Sequence, residues 1–335
     1  AKEAVDRALE LQPDLPQAHL ALGYYYYHGY LDYESALEEL AIASAALPQD
    51  SEISATIGYI RRRQGRFDEA VQFQKKALRQ SPRDPYLWRE SANTYAMLGR
   101  HEDALNALDR SISLAPDQIG AYLDKAWGLL SWKGKAGIPD ARAILDEMPS
   151  RDDPWIAWYH FEIEILARDY PAAVDALASM RGEIFQNQVV FLPKALLSAR
   201  TYELLSDERR AREEFERARV ILEKELEESP DDARLHASFG VAYAGLGHKE
   251  VAIKESVRAI ELYPVSKDAM NGPAYVLNLA AVYAMTGEYE AALDQIDYLL
   301  SIPTDFSVAM LELDPRWDPL RDSPRYQEIL EKYRE

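Results

Sequence analysis

Pro48, Pro82 and Pro116 stand 34 residues apart, and the text between them repeats with them. Ala36, Ala70 and Ala104 each lie twelve residues before one of these prolines, and Gly58 lies twenty-four before Pro82. A fixed 34-residue period with small residues at fixed offsets marks a stacked two-helix unit. One such unit cannot bury its own apolar face, so the period demands an array in which each unit packs on its neighbours. Arrays of this kind offer surface for binding and seldom carry chemistry.

The unit recurs with different fidelity along the chain. Residues 85–118 carry Trp88, Ala92, Tyr95, Ala104, Leu108 and Pro116, with Ser111 where a third small residue is expected to be alanine. Residues 51–84 carry Ile57, Gly58, Ala70, Ala77 and Pro82. Leu22, Gly23, Tyr26, Ala36, Leu40, Ala43 and Pro48 fit if one residue is inserted near Gly29. Phe239, Gly240, Tyr243, Ala252, Ala259 and Pro264 fit 233–266 without a gap, and Leu279, Ala280, Tyr283, Ala292, Ile296 and Pro303 follow Pro273. In this pattern the chain resembles the tetratricopeptide repeat. The resemblance implies a tyrosine and a phenylalanine where Arg61 and Gln74 stand. The resemblance implies an all-α, right-handed α-α superhelix of about eight helix-turn-helix repeats, closed by a C-terminal capping helix.

The pattern has simple causes. Small residues let the two helices of a unit, A and B, approach closely, and large ones at helical spacing fill the gaps between helices. Proline ends helix B because its ring cannot continue the hydrogen-bond ladder. Pairs such as Asp68-Glu69 and Glu102-Asp103 near the start of helix B suit its dipole.

The expected organisation is a leading second helix in 1–15, three regular repeats in 16–118, degenerate repeats in 119–232, two repeats in 233–305 and a cap in 306–335. In the middle, helix B of 119–149 shortens to about 139–148 after the turn Lys133–Gly137. Two helices are expected at Trp155–Arg168 and Pro171–Met180, followed by a linker Gly182–Gln188 with no proline stop. Ala199, Tyr202, Ala211, Phe215 and Ala218 align the next unit, whose second helix runs on through Glu223–Glu228. Lys267–Gly272 is an insertion. Counting back from Pro13 puts Ala8 and Ala1 in helix-B slots, so the chain is expected to open inside a repeat and to be a piece of something longer. Trp317, Leu320, Tyr326, Ile329 and Leu330 would cover the last repeat. The last sixty or so residues resemble the ends of repeat regions in multidomain bacterial signalling proteins, of the TolB-like, serine/threonine kinase, cyclase or winged-helix associated kinds.

Charge and composition narrow the partners. The chain has 57 acidic and 38 basic side chains, a formal charge of −19, which repels phosphate backbones and anionic lipid. Nucleic acid and membrane insertion are therefore not expected. With no cysteine there is no disulfide framework, thiolate metal site or cysteine nucleophile. That suits cytoplasm or periplasm, with cytoplasm favoured. The six histidines are scattered, with none paired at i, i+4 around a glutamate, and His19 and His236 occupy packing slots. Lys133-Gly-Lys135 lacks the spacing of a phosphate loop, and no Gly-x-Ser-x-Gly elbow exists. No catalytic residue, cofactor or metal is assigned, and the chain is read as not an enzyme.

The resemblance also implies where binding occurs, since peptides lie against the A helices of this family. Transferring those slots gives Tyr24, Tyr27, Tyr59, Arg62, Arg63, Arg89, Asn93 and Trp127 as the groove. Aromatic and arginine side chains there suit an extended or helical protein segment bearing acidic and apolar residues. The family's carboxylate clamp fits poorly, because only Arg89 and Asn93 match it. The expected function is a protein-interaction scaffold or sensor region of a bacterial signalling protein. The alternatives are an accessory substrate-binding or regulatory region of an enzyme whose catalytic domain precedes Ala1, or an oligomerisation module pairing two copies.

Overall fold

In a computed structural model, residues 2–149 and 153–334 are described, and they fall into two compact units. The first reaches to Tyr95 and takes in Glu102–Pro116; the second holds Ala96–His101 and runs on from Asp117. The expectation placed on Ala1 lies outside the described residues.

The first unit opens with α1 (Lys2–Leu11) and continues through α2 (Pro16–Tyr30), α3 (Tyr33–Ala46), α4 (Ser51–Arg63), α5 (Phe67–Gln80), α6 (Pro85–Met97) and α7 (His101–Leu114). The second contains α8 (Gly120–Lys133), a 3-10 turn (Gly134–Gly137), α9 (Ile138–Asp146), α10 (Pro154–Ala167) and α11 (Tyr170–Ser179). Two short strands, β1 (Ile184–Gln186) and β2 (Phe191–Pro193), precede α12 (Lys194–Leu204), α13 (Glu208–Glu228), α14 (Ala233–Gly245) and α15 (Lys249–Leu262). The chain continues through α16 (Gly272–Met285), α17 (Tyr289–Ser301) and α18 (Val308–Leu313) to a 3-10 turn (Pro315–Leu320) and α19 (Pro324–Tyr333). From α2 to α17 the helices form eight sequential pairs. The fold is all-α, of the helix-pair repeat class that the period demands.

The small residues stand where the pairs close. Ala36, Ala70, Ala252 and Ala292 are fully buried, and so are Ala43, Ala77, Ala218 and Ala259 at the next slot. A Cβ on Gly240 would lie 2.2 Å from Ser256 Oγ and 2.9 Å from the Ala252 carbonyl oxygen, so α14 and α15 touch through it. Helix starts are capped by carboxylates: Asp50 accepts from Glu52 N and Ile53 N, and Asp207 accepts from Arg210 N. Seven of the eight A–B turns share one conformation, left-handed at the residue before the next cap, and the 3-10 turn between α8 and α9 is the exception. Gly65, Gly99, Gly247 and Gly287 hold it at no steric cost, whereas Leu31, Arg168 and Ser206 hold it with a side chain attached.

A second recurring device ties units together. His19 Nε2 lies 2.9 Å from the Pro13 carbonyl oxygen, Trp88 Nε1 3.0 Å from that of Pro82, and His236 Nε2 2.9 Å from that of Pro230. The helix-ending proline thus finds a ring N–H six residues on. The other nitrogen of His19 meets Glu39 Oε2 at 2.6 Å. Nε2 donates to the Pro13 carbonyl, Nδ1 donates to Glu39 when the ring is protonated, and the Glu39 hydrogen bond raises the His19 pKa above the ordinary 6.5.

The structure departs from the sequence expectation in the middle and at the end. The linker expected at 182–188 is instead the first strand of an antiparallel hairpin, with Phe185 facing Leu192 across it. Phe185 and Phe191 are buried, which pins this short ribbon to the helices. The terminal region is broken into α18, a 3-10 turn and α19, because Asp314 and Ser323 start new turns, each followed by a proline. Trp317, Leu320, Tyr326, Ile329 and Leu330 pack on Ala280, Ala284, Leu293 and Ile296 of α16 and α17.

Candidate partner-binding face

In the first unit the expected groove residues lie on the A helices α2, α4 and α6, and polar contacts stitch these helices together. Tyr24 Oη donates to Glu52 Oε1 at 2.6 Å and accepts from Thr56 Oγ1 at 3.3 Å. Arg62 repeats the geometry one unit later: Nη2 donates to Glu90 Oε2 at 2.6 Å, and Nη1 to Thr94 Oγ1 at 3.1 Å. The offsets are the same in both cases, 28 and 32 residues. Arg63 Nε donates to Tyr27 Oη at 3.0 Å. Gln74, standing where an aromatic is usual, is buried and donates to Thr94 Oγ1 at 2.8 Å.

These contacts redefine several expected site residues. Arg62 is 2% exposed and its charge is matched by Glu90. Arg63 is buried, and so is Tyr27, which packs among Tyr33, Leu40, Ile53 and Ile60. The two arginines are internal stitches, and the Tyr27 ring belongs to the core. Burial and the Glu52 carboxylate push the Tyr24 phenol well above its ordinary pKa. Burial and the nearby Arg63 lower that of His28.

What remains open on this face is aromatic. Tyr86 is 52% exposed, and its ring stands edge-on to Tyr59 at 6.3 Å. Arg62 lies over the Tyr59 ring at 5.6 Å. The Tyr59 hydroxyl is screened from solvent yet has no hydrogen-bond partner among the described residues. Arg89 and Asn93 are half-buried on α6.

Trp127, the eighth expected residue, lies in the second unit. It packs near Trp158 and Tyr159 of α10, at 6.4 and 6.2 Å between ring centroids. The apolar cluster beneath it includes Leu123, Leu130 and Ile163, and it also takes in Met310 and Leu313, with Phe306 packed against it. The C-terminal segment therefore fills this part of the A-helix face. Ser131 Oγ donates to the Asp305 carbonyl at 3.1 Å, and Ser307 Oγ to that of Ser131 at 2.6 Å. Arg200 bridges Glu162 and Asp314, each at 3.1 Å, and Arg168 grips Asp318 through both terminal nitrogens. Burial alone would raise the Asp314 carboxyl, but Arg316 and Arg200 hold it at about 2.

Sequence reasoning missed Glu52, Thr56, Glu90 and Thr94. Their signal was available as a pair of offsets, 28 and 32, from a polar A-helix residue to acceptors on the next A helix. It also missed the docking of 305–318, for which no periodic signal exists. Among the described residues no group of three or more His, Asp or Glu is placed to hold a metal ion, and no helix is long and apolar enough to cross a membrane.

Residues 31–85 and 61–125 match two models of the tetratricopeptide repeat. That stretch is built of tetratricopeptide repeats, a class whose business is contact between proteins. No curated protein matches the chain. Among solved structures, pilF of Pseudomonas aeruginosa is similar at 18% identity and TM-score 0.49, over 62% of this chain and 91% of its own. A tetratricopeptide repeat protein of Parabacteroides merdae is similar at 14% identity and TM-score 0.38, over 96% and 99%. The APC/C hetero-tetramer Cut9-Hcn1 is similar at 14% and 0.46, over 100% and 59%.

Proposed function

We propose that the first unit binds a segment of a partner protein across the A helices α2, α4 and α6, with Tyr24, Tyr59, Tyr86, Arg89 and Asn93 in contact. The observation that carries this is the pairing of an exposed ring, Tyr86, with a shielded and unsatisfied hydroxyl, Tyr59 Oη, on a face of tetratricopeptide repeats. A buried donor without a partner costs about 1–3 kcal/mol, which a ligand acceptor would relieve. The segment is apolar and hydrogen-bonding more than acidic, because Arg62 and Arg63 are already engaged within the array. The resemblance of the C-terminal region to bacterial signalling proteins supports placing this contact in a signalling role.

A photo-crosslinking residue at Tyr86, compared with one at Val251 on α15, tests the reading in the cells the protein comes from. A partner should be captured from position 86 and not from 251, and Tyr86→Ala should weaken its binding about tenfold or more. Equal capture from both positions, or unchanged affinity of Tyr86→Ala, would overturn it.

A further inference from the structure

Between 182 and 275 the chain breaks its own period three times: the hairpin β1–β2, the overlong helix α13 and the insertion after Pro264. All three converge on one cleft of about 520 Å³ in the second unit. Gln188 comes from the hairpin turn, Ser229 from the end of α13, Arg234 from the start of α14, Lys267 from the insertion, and Tyr263 and Tyr275 from the flanking helices.

The cleft is built, in that its walls are fixed by internal contacts. Arg234 is held by Asp232 through Nε (3.0 Å) and Nη2 (2.6 Å), and its Nη1 donates to the Asn187 carbonyl at 2.7 Å, anchoring the hairpin tip. Asp268, fully buried, accepts from Met270 N, Asn271 N and the Tyr263 hydroxyl, which shapes the inserted loop. A Cβ on Gly272 would lie 2.6 Å from Val265 Cα, so the two ends of that loop touch. Asp231 pairs with Arg258 at 3.0 Å.

Two donors are left over. The Tyr275 ring is 3% exposed, yet among the described residues its hydroxyl has no hydrogen-bond partner while it lines the cleft. Burial and the nearby Asp232 push that phenol up to about 12, so it stays a proton donor across the physiological range. Lys267 has its ammonium 5.4 Å from the Tyr263 ring centre and no carboxylate within ion-pair distance among the described residues. The rings of Tyr263 and Tyr275 stand 5.6 Å apart, tilted by 50°, and give the cleft an apolar wall.

We propose that this cleft binds a small monocarboxylate bearing an apolar group, its carboxylate taken by Lys267 and Tyr275 and its apolar part lying on Tyr263. A cation with spare donors and a buried phenol together match two carboxylate oxygens. A dianion such as phosphate is disfavoured, because Asp231 and Asp232 also face the cleft. The carboxylate can belong to a free acid or to the end of a peptide chain, and the two sources are separable.

Calorimetric titration of the full chain with phenylacetate should give a dissociation constant on the order of a millimolar or tighter. Lys267→Gln and Tyr275→Phe, each expected to leave the far-UV spectrum unchanged, should each weaken it about tenfold. A short peptide ending in phenylalanine, with its C-terminus free or amidated, separates the sources. Tighter binding of the free-ended peptide than of phenylacetate assigns the carboxylate to a chain terminus; the reverse assigns it to a small acid. The proposal is overturned by the absence of phenylacetate and free-ended peptide binding, by equal binding of the amidated peptide, by tighter binding of inorganic phosphate, or by unchanged affinity in both variants.

Discussion

The A-helix faces of the two units are finished in opposite ways. In the first, polar side chains cross from helix to helix and leave an aromatic surface facing outward. In the second, the equivalent slots around Trp127 are covered by Phe306, Met310 and Leu313, and an arginine–carboxylate network locks that segment down. The lesson is that a shared repeat does not imply a shared groove. An A-helix slot is a binding position only where the chain itself has not already used it.

The largest expected effect breaks the first unit alone. Arg62→Ala leaves Glu90 without its partner in a buried setting, at a cost of about 3–5 kcal/mol. Five of the six tryptophans lie beyond residue 120, so tryptophan emission reports chiefly on the second unit. In a urea titration the variant should shift the far-UV circular dichroism transition and leave the emission transition in place. An emission curve that moves equally would show that the units do not differ in this way.

Leu313→Ala is the mirror experiment. The side chain is 7% exposed in the cluster that covers Trp127, and its truncation should cost about 2–4 kcal/mol. Here tryptophan emission should move and most of the circular dichroism of the first unit should persist to higher urea. The same variant should also make the indole of Trp127 more accessible to acrylamide.

A smaller effect depends on pH. The His19 pKa is raised in the folded chain by Glu39, so its stabilisation is fully present below about 6.5 and fades as pH rises through the raised value. The melting temperature lost in His19→Gln should therefore be larger at pH 5.5 than at pH 9. A constant difference would assign the residue to packing alone.

The smallest effect is a gain. Ser206 holds a left-handed turn at φ 59°, where four equivalent turns use glycine. Ser206→Gly should stabilise by about 0.5–1 kcal/mol once strain is set against chain entropy, and a rise in melting temperature of a few degrees checks it. Gly247→Ser, at φ 81°, should do the reverse.

Much of this architecture was legible in the sequence, for a physical reason. Ala36, Ala70, Ala252 and Ala292 mark places where two backbones touch, and only small residues allow that, so the period survives in the text. Lengths of helices were readable for the same cause: Pro82 or Gly99 stops a helix whatever its neighbours do. The candidate site was only partly readable. Tyr24 and Arg62 were visible as slots, but whether a slot faces solvent depends on Glu52 and Glu90 on the next helix. Nothing periodic marks the hairpin, whose three-residue strands are too short to show alternation. Nor does any local pattern say that Asp314 answers Arg200, since that pairing is set by how the second unit curves back on itself.

That return has a consequence for how the protein comes to be folded. Most contacts in a solenoid join neighbours, so repeats can form one after another as the chain emerges. The Ser131–Asp305 and Ser307–Ser131 hydrogen bonds join residues 174 and 176 apart. The start of the second unit therefore waits, with Leu123, Leu130 and Ile163 uncovered, until residues 305–313 have been synthesised. The first unit has no such debt and can be finished early, while the second is completed only when its own ending arrives.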